Sequence, residues 1–130
     1  MRTVSKTVIG VDFGTQSARA VLVNAENGEI IYSCRKQYPY NSTPVPAIDC
    51  AENLPCATDY EMTLYELLRN VIPEEYRKTV AGICIDATSL TMVLLAEDGR
   101  ALSELDGWSE AAHARVKLWK YHRAQEKADE

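Results

Sequence analysis

The sequence has no long hydrophobic run. Behind the basic N-terminus the first apolar run, Val8–Val11, is four residues long and ends at Asp12. A signal peptide requires a longer apolar core, and a membrane-spanning helix requires about 20 apolar residues. We therefore predict no signal peptide, no membrane-spanning helix and no membrane partner.

Cysteine is scarce as well. The four cysteines, Cys34, Cys50, Cys56 and Cys84, are irregularly spaced and form no C-x-x-C motif, which argues against a zinc site. Cys84 lies in an apolar strand pattern and is predicted to be buried, whereas Cys50 and Cys56 share a loop and could pair under oxidation. We expect four free thiols in a reducing cytoplasm.

Positive charge is in the minority. The 14 lysines and arginines against 19 acidic residues give a net charge of −5, which argues against binding to nucleic acid or to an anionic membrane. The remaining composition, 46% hydrophobic and 25% charged over 130 residues, is typical of a soluble globular protein. It predicts one domain, or part of one, with a substantial core.

Two glycine-rich phosphate motifs are missing, because neither G-x-x-x-x-G-K-[ST] nor G-x-G-x-x-G occurs. The first apolar run is followed instead by Asp12, a turn with Gly14, Thr15 and Ser17, and then Arg19. Glycine lets backbone N–H groups approach a ligand, hydroxyls and a guanidinium suit phosphate oxygens, and a carboxylate suits a hydrated divalent metal. The stretch fits a phosphate and metal site, and the alternative is a hairpin turn built from common turn residues.

The first part of the chain predicts three strands, at about residues 7–13, 18–24 and 29–36, with a tight turn at Asn27–Gly28. The apolar run predicts that the first strand is buried on both faces. Because the connections are short, the three strands form an antiparallel meander. Residues 38–57 hold four of the five prolines and predict a long loop, which is either functional or a solvated connector.

A helix is predicted next, capped by Thr58 or Asp59 and ended by Pro73. Its apolar stripe consists of Met62, Tyr65, Leu68 and Ile72, with Leu64 and Leu67 beside it. The apolar run 80–85 then predicts a buried strand that ends at Asp86 and returns parallel to the first strand. The order β-β-β-α-β therefore predicts an α/β fold with a mixed sheet.

Beyond the last strand, residues 91–96 and 101–105 flank Asp98–Gly99 and predict a second hairpin. Residues 110–130 fit one long helix by propensity. In this segment Trp119 stands among basic residues, namely Lys117, Lys120, His122 and Arg123. The cluster could line a sugar-binding site, or Trp119 could be half-buried on an amphipathic segment.

Carboxylates end two of the predicted strands. The topology brings Asp12 and Asp86 to the same edge of the sheet, where open α/β sheets bind their ligands. The hydroxyls of Thr88, Ser89 and Thr91 follow and suit a sugar or another polyol. The alternative, equally weighted, is that residues 86–89 form a helix N-cap or an Asx-turn.

Three blocks of the sequence resemble the FGGY carbohydrate kinases, in the order in which that family has them. Residues 10–20 resemble its first phosphate motif, and residues 80–92 resemble its second core strand and sugar-side loop. Residues 116–129 are similar to a segment found in ribulokinases. The resemblance implies the ribonuclease H-like or actin-like ATPase fold, and a kinase that uses ATP and Mg²⁺ to phosphorylate ribulose.

The same resemblance implies roles for individual residues. Asp12 would organise Mg²⁺ and its water. The ATP phosphates would face Asp12, Gly14, Thr15, Gln16, Ser17 and Arg19. The sugar would contact Asp86, Thr88, Ser89, Trp119 and Lys120. It also implies that residues 115–118 are extended and that a helix begins only near Tyr121.

The family is much longer than this chain. By the resemblance, residues 1–130 correspond to the N-terminal part of the first of two actin-like domains, while the rest of that domain and the second domain are absent. The catalytic base and the adenosine site would lie in those parts, so we expect the chain alone to be inactive. We also expect it to form a homo-oligomer through uncovered apolar surface.

Two alternatives to a ribulose kinase stay open. The first is another FGGY pentulose kinase, for xylulose or a related sugar. The second belongs to a different class, an actin-like module used for binding or assembly without sugar chemistry.

Overall fold

The computed structural model describes residues 4–39, 55–108, 111–119 and 128–130. Lys120, Cys50 and the helix expected from Tyr121 lie outside these residues. The chain divides into two compact units, the first made of residues 1–38 and 60–88 and the second of residues 39–59 and 89–130. Among the described helices, none is long and apolar enough to cross a bilayer.

The first unit contains a sheet of four strands, β1 (Thr7–Phe13), β2 (Ser17–Asn24), β3 (Ile30–Gln37) and β4 (Val80–Ala87). The helix α1 (Ala57–Val71) connects β3 to β4 along the chain. The strand order is β3-β2-β1-β4, in which β1, β2 and β3 are antiparallel neighbours and β4 runs parallel to β1. The predicted order of elements and the mixed sheet are therefore confirmed.

One face of the sheet, which we call the helix face, packs against α1. Its side chains on β1 and β2 are buried, namely Ile9, Val11, Phe13, Ala18, Ala20 and Leu22. Tyr60 of α1 stacks edge-on to Phe13 with 5.7 Å between the ring centres, and Glu66 pairs with Lys36 of β3 at 2.5 Å. The alternation of buried and less buried residues along each strand follows from the two-residue period of the pleat.

The opposite face, the open face, is covered much less. Val8 is 36% exposed, and Gly10 and Asp12 are intermediate in burial. The prediction that β1 is buried on both faces was therefore wrong: only its helix-face side chains are enclosed.

The prediction that β4 is buried was also wrong. Ile83 is 51% exposed, Ile85 is 57% exposed, and the Cys84 thiol is exposed. The physical reason is position, because β4 forms an edge of the sheet that the structure describes, and the ring and ion-pair contacts of α1 described above are with β1 and β3. An apolar edge strand of this kind is normally paired or covered.

The buried stripe of α1 differs from the predicted one. Thr63, Leu67 and Val71 are almost fully buried, whereas Met62 and Tyr65 are more than half exposed. The helix is thus rotated by about one position, because Tyr60 and Glu66 direct it onto Phe13 and Lys36. Periodicity alone does not distinguish two adjacent apolar stripes on one helix.

Six described residues of the second unit are buried, namely Pro55, Ala101, Ser103, Ala114, Val116 and Leu118. Met92 and Lys117 exchange two backbone hydrogen bonds of 3.0 Å, and the Val116 N–H donates to the Pro55 carbonyl at 3.0 Å. This pairing confirms that residues 116 and 117 are extended.

The hairpin predicted around Asp98–Gly99 forms only next to its turn, where the Leu102 N–H donates to the Leu94 carbonyl at 2.8 Å. The Ala96 N–H donates to the Arg100 carbonyl at 2.8 Å, and a single bridge joins Leu95 to Ala101. The second arm does not form a strand, because Leu102–Glu104 winds into a 3-10 helix.

In the same unit, the start of α1 lies slightly earlier than predicted. The Cys56 N–H donates to the Asp59 carboxylate at 2.8 Å, so Asp59 closes the first turn from inside the helix. Burial raises the pKa of Asp59. Because the folded state then binds its proton more tightly, this carboxyl favours folding at acid pH and opposes it as pH rises.

Candidate functional site

Four charged residues form one row across the sheet. The strand register sets Arg35 of β3 opposite Arg19 of β2, Arg19 opposite Asp12 of β1, and Asp12 opposite Asp86 of β4. All four lie on the open face, because they alternate with residues of the helix face. The row therefore has a cationic half on β3 and β2 and a carboxylate half on β1 and β4.

Asp12 and Arg19 form an ion pair at the centre of the row. The Arg19 Nε and Nη2 atoms donate to the same oxygen, Asp12 Oδ2, at 3.1 and 2.9 Å. The two side chains are 43% and 69% exposed, and ion pairs as exposed as this one add little to stability. The pair keeps the two side chains next to each other. Because it is weak, a ligand that separates them would lose little binding energy in doing so.

An open depression of about 230 Å³ lies beside this pair. It is lined by Gly10, Val11, Asp12, Arg19, Val21, Cys84 and Asp86. Its volume is below the roughly 300–1,000 Å³ of pockets that enclose a whole drug-sized ligand. A hydrated ion or part of a phosphate chain would fit, whereas a complete nucleotide would extend beyond it.

The turn between β1 and β2 is fixed by hydrogen bonds to its carbonyl groups. The Gly14 N–H donates to the Ser17 carbonyl at 3.0 Å and closes the turn. The Tyr38 hydroxyl donates to the Gly14 carbonyl at 2.9 Å, and the Tyr38 N–H donates to the Gln16 carbonyl at 3.3 Å. The amide of Gly14 is thus used inside the turn, although this residue was expected to approach phosphate.

Two of the predicted hydroxyl residues have structural partners. Thr88 donates from both its N–H and its hydroxyl to the Phe13 carbonyl, at 2.9 and 3.1 Å, and so ties the end of β4 to the end of β1. The Ser17 hydroxyl accepts a hydrogen bond from Arg35 Nε at 2.9 Å. Contacts of Thr88 with sugar and of Ser17 with phosphate stay predictions. Thr88 would have to accept through its remaining oxygen lone pairs, whereas Ser17 would donate its hydroxyl hydrogen to a phosphate oxygen.

The predicted residues are divided between the two units. The first unit brings together Asp12, Arg19 and Asp86 on its open face, with Gly14, Thr15, Gln16 and Ser17 in the adjoining turn. Ser89 and Trp119 belong to the second unit, where Ser89 is exposed and Trp119 is 56% exposed. Their sugar-binding roles remain predictions.

Sequence reasoning assigned no role to Arg35 or Tyr38. Both could have been found from the register of the hairpin, because pairing Ser17 with Gln37 sets Arg35 opposite Arg19 and Tyr38 beside the turn. The two-residue period then assigns Arg35 to the open face and Tyr38 to the helix face.

The chemistry of the row suits magnesium and phosphate. Mg²⁺ prefers oxygen ligands and is commonly held by one or two carboxylates, several waters and substrate phosphates. Asp12 and Asp86 offer such carboxylates on neighbouring strands. Within the described residues, no three His, Cys, Asp or Glu side chains converge as a metal site. Waters and phosphate oxygens would therefore have to supply the other ligands.

Comparison with curated proteins identifies relatives over nearly the whole chain, although no family model matches. The chain is 39% identical over 126 residues to ribulokinase 1 of Staphylococcus saprophyticus, covering 92% of this chain and 23% of that protein. It is 34% identical over 134 residues to a ribulokinase of Mycolicibacterium smegmatis, covering 95% and 24%. The chain thus spans about a quarter of the length of the curated relatives it matches.

Solved structures show the fold. A xylulose kinase from Bifidobacterium adolescentis matches with a TM-score of 0.68 and 17% identity, over 95% of this chain and 20% of that one. A gluconate kinase from Lactobacillus acidophilus matches with a TM-score of 0.63 and 19% identity, over 95% and 22%. The α/β architecture is the actin-like ATPase fold of sugar kinases, present as part of a domain, as predicted.

The turn geometry predicts the effect of adding a methyl group at Gly14. A Cβ there would lie 3.1 Å from the Ser17 carbonyl oxygen, which is a backbone atom in a closed turn. We expect Gly14→Ala to lower the free energy of unfolding by about 1 to 2 kcal/mol, measured by urea denaturation. Gly82→Ala is the control, because its Cβ would meet nothing within 4 Å, and its effect should stay within about 0.5 kcal/mol. Equal losses in both variants would contradict the steric explanation.

Proposed function

We propose that this chain, which belongs with the ribulokinase-like FGGY carbohydrate kinases in sequence and in fold, carries the phosphate- and metal-binding part of an ATP-dependent pentulose kinase. The parent activity would be transfer of the γ-phosphoryl group of ATP to a sugar hydroxyl. The observation that carries the proposal is the row Arg35–Arg19–Asp12–Asp86 on the open face.

The row separates the two kinds of group that a magnesium–nucleotide complex requires. Arg19 has a planar guanidinium, which matches phosphate oxygens and neutralises their charge. Asp12, with Asp86 beside it, would hold Mg²⁺ and its waters, and the ion would supply charge neutralisation to the phosphates. In the ligand-free chain Arg19 neutralises Asp12, so a bound phosphate would compete for Arg19 and release the carboxylate.

Ribulose is the proposed sugar, because the curated relatives that cover the chain are named ribulokinases. Thr88, Ser89 and Trp119, together with Lys120, are the residues proposed to contact it. Xylulose is the alternative substrate, because a structural neighbour is named a xylulose kinase. The sequence identity to that neighbour is lower than to the ribulokinases. The free thiols of Cys34, Cys56 and Cys84 suit the reducing cytoplasm proposed as its location.

Asp12 is the residue that best tests the metal and phosphate site. We expect the chain to bind magnesium tripolyphosphate, a probe that carries the phosphates without the adenosine. Asp12→Asn should weaken this binding about tenfold or more in isothermal titration calorimetry, because a neutral amide no longer attracts Mg²⁺.

Asp98→Asn is the matched control for this experiment. Asp98 is also an exposed aspartate paired with an arginine, Arg100, at 2.7 Å, but it lies in the second unit. The two substitutions change the net charge equally. Equal weakening by both, or no magnesium-dependent binding by the original chain, would contradict the proposed function.

The chain alone should show no kinase activity. It spans about a quarter of its curated relatives, and the resemblance assigns the catalytic base and the adenosine site to other parts of the family's sequence. We expect no phosphorylation of ribulose above the rate without protein in a coupled ATP-consumption assay. Magnesium-dependent formation of ribulose phosphate by the purified chain would contradict the prediction that the catalytic base and the adenosine site lie in other parts of the family's sequence.

The exposed apolar strand supports the proposed self-association. Ile83 and Ile85 of β4 are more than half exposed on a sheet edge, and exposed edges pair readily with other chains. We expect a mass above that of the monomer in sedimentation at micromolar concentration, and a shift toward monomer with Ile85→Lys. Asn70→Lys adds the same charge on the exposed side of α1 and should leave the mass unchanged. A monomeric original chain would contradict the proposal.

A further inference from the structure

We propose that Tyr38 is the positioning residue of the turn between β1 and β2, acting from the helix face to aim the amides of that turn. The inference deepens the proposed function and rests on it for the identity of the ligand. Tyr38 would not contact the phosphate, since it acts through the backbone of the residues that do.

The register of the sheet brings Tyr38 to this position. Ser17, the first residue of β2, pairs with Gln37, the last residue of β3, so the next residue of the chain lies beside the turn. The pleat sets Tyr38 on the same side as Lys36, which is the helix face. The charged row lies on the other side of the sheet. Tyr38 therefore contacts the turn from the face opposite the row.

The ring of Tyr38 is enclosed, which fixes the hydroxyl. The residue is 2% exposed, and its ring centre lies 4.9 Å from that of Tyr60 in α1. Tyr60 also contacts Phe13, the last residue of β1, at 5.7 Å. Three aromatic rings thus form a packed support beneath the turn, and such contacts are worth more than their buried area alone.

Hydrogen bonds connect this support to the peptide planes of the turn. The Gly14 carbonyl, which accepts from the Tyr38 hydroxyl, belongs to the same planar trans peptide as the Thr15 N–H. The Gln16 carbonyl, which accepts from the Tyr38 N–H, likewise shares its plane with the Ser17 N–H.

In a trans peptide the carbonyl and the N–H point in opposite directions. Holding the Gly14 and Gln16 carbonyls toward Tyr38 therefore turns the Thr15 and Ser17 N–H groups away from it. Oriented backbone N–H groups in a turn are the usual means by which proteins bind phosphate without a side chain. The phenol of Tyr38 thus sets the direction of the Thr15 N–H, and the backbone N–H of Tyr38 sets that of the Ser17 N–H, in the turn that we propose binds phosphate.

The test compares Tyr38→Phe, which removes only the hydroxyl, with Tyr65→Phe, which removes the hydroxyl of an exposed tyrosine on α1. Amide hydrogen exchange by NMR reports the turn directly and needs no ligand. We expect Tyr38→Phe to accelerate exchange at Gly14, whose N–H hydrogen bond to the Ser17 carbonyl closes the turn, and to leave Val11 in the middle of β1 unchanged. Tyr65→Phe should change neither amide.

The second measurement is the Kd for magnesium tripolyphosphate, taken alongside the urea midpoint of each variant. Tyr38→Phe should weaken binding about three- to tenfold, the range expected for one lost hydrogen bond that orders the site. A purely structural role would change the urea midpoint and leave the Kd unaltered. That result, or unchanged exchange at Gly14, would overturn the inference.

The two proposals fail in different ways. If the original chain binds no tripolyphosphate while Tyr38→Phe still accelerates exchange at Gly14, the control of the turn by Tyr38 is supported and the proposed function is contradicted. If the original chain binds tripolyphosphate and loses that affinity with Asp12→Asn but keeps it with Tyr38→Phe, the proposed function is supported and the inference about Tyr38 is wrong.

Discussion

The register between β1 and β2 is the constraint on which the site depends. Pairing Phe13 with Ala18 across a short turn sets Asp12 opposite Arg19 on the open face, where the two side chains meet. A slip of one residue would move one of the two charges to the face that packs against α1, where burying it would be costly. The burial of Val11 and Ala20 on that face therefore enforces the position of the ion pair.

The two faces of the sheet have different roles. Tyr38, Tyr60 and Phe13 pack on the helix face and hold the turn, while the charged row on the open face is left to meet ligands. The side chains proposed to bind the metal and phosphate are exposed and make weak contacts with each other. The backbone that carries them is fixed by buried groups. This arrangement gives a site precise geometry without rigid charged side chains.

Much of the fold could be predicted because its signals are local. The hairpin turns of the meander, the helix stop at Pro73 and the apolar run of β4 all follow from neighbouring residues, and the parallel return of β4 follows from the helical crossover that precedes it. The burial of β4 and the stripe on α1 could not be predicted, because each depends on what packs against it. Ile83 is as apolar as Ile9, yet Ile9 is buried in the middle of the sheet and Ile83 is exposed at its edge.

The same distinction applies to the site. Asp12, Arg19 and Asp86 were predicted from the ends of strands and from a family resemblance, and the sheet brings them into one row. Arg35 and Tyr38 went unassigned because their importance depends on the pairing of β3 with β2, which adjoining residues do not reveal. Trp119 was noticed for its neighbours in sequence, and it lies in the second unit.

The pairing of β4 with β1 also has a consequence for how the site is assembled. Arg35, Arg19 and Asp12 belong to strands joined by short connections, so the cationic half and the first carboxylate can form as soon as the meander closes. Asp86 arrives only after the loop, α1 and the crossover are in place, which is a contact between residues distant in the chain. Closing such a contact is slower than closing a hairpin. A folding chain would therefore acquire its phosphate-facing charges first and complete its pair of carboxylates last.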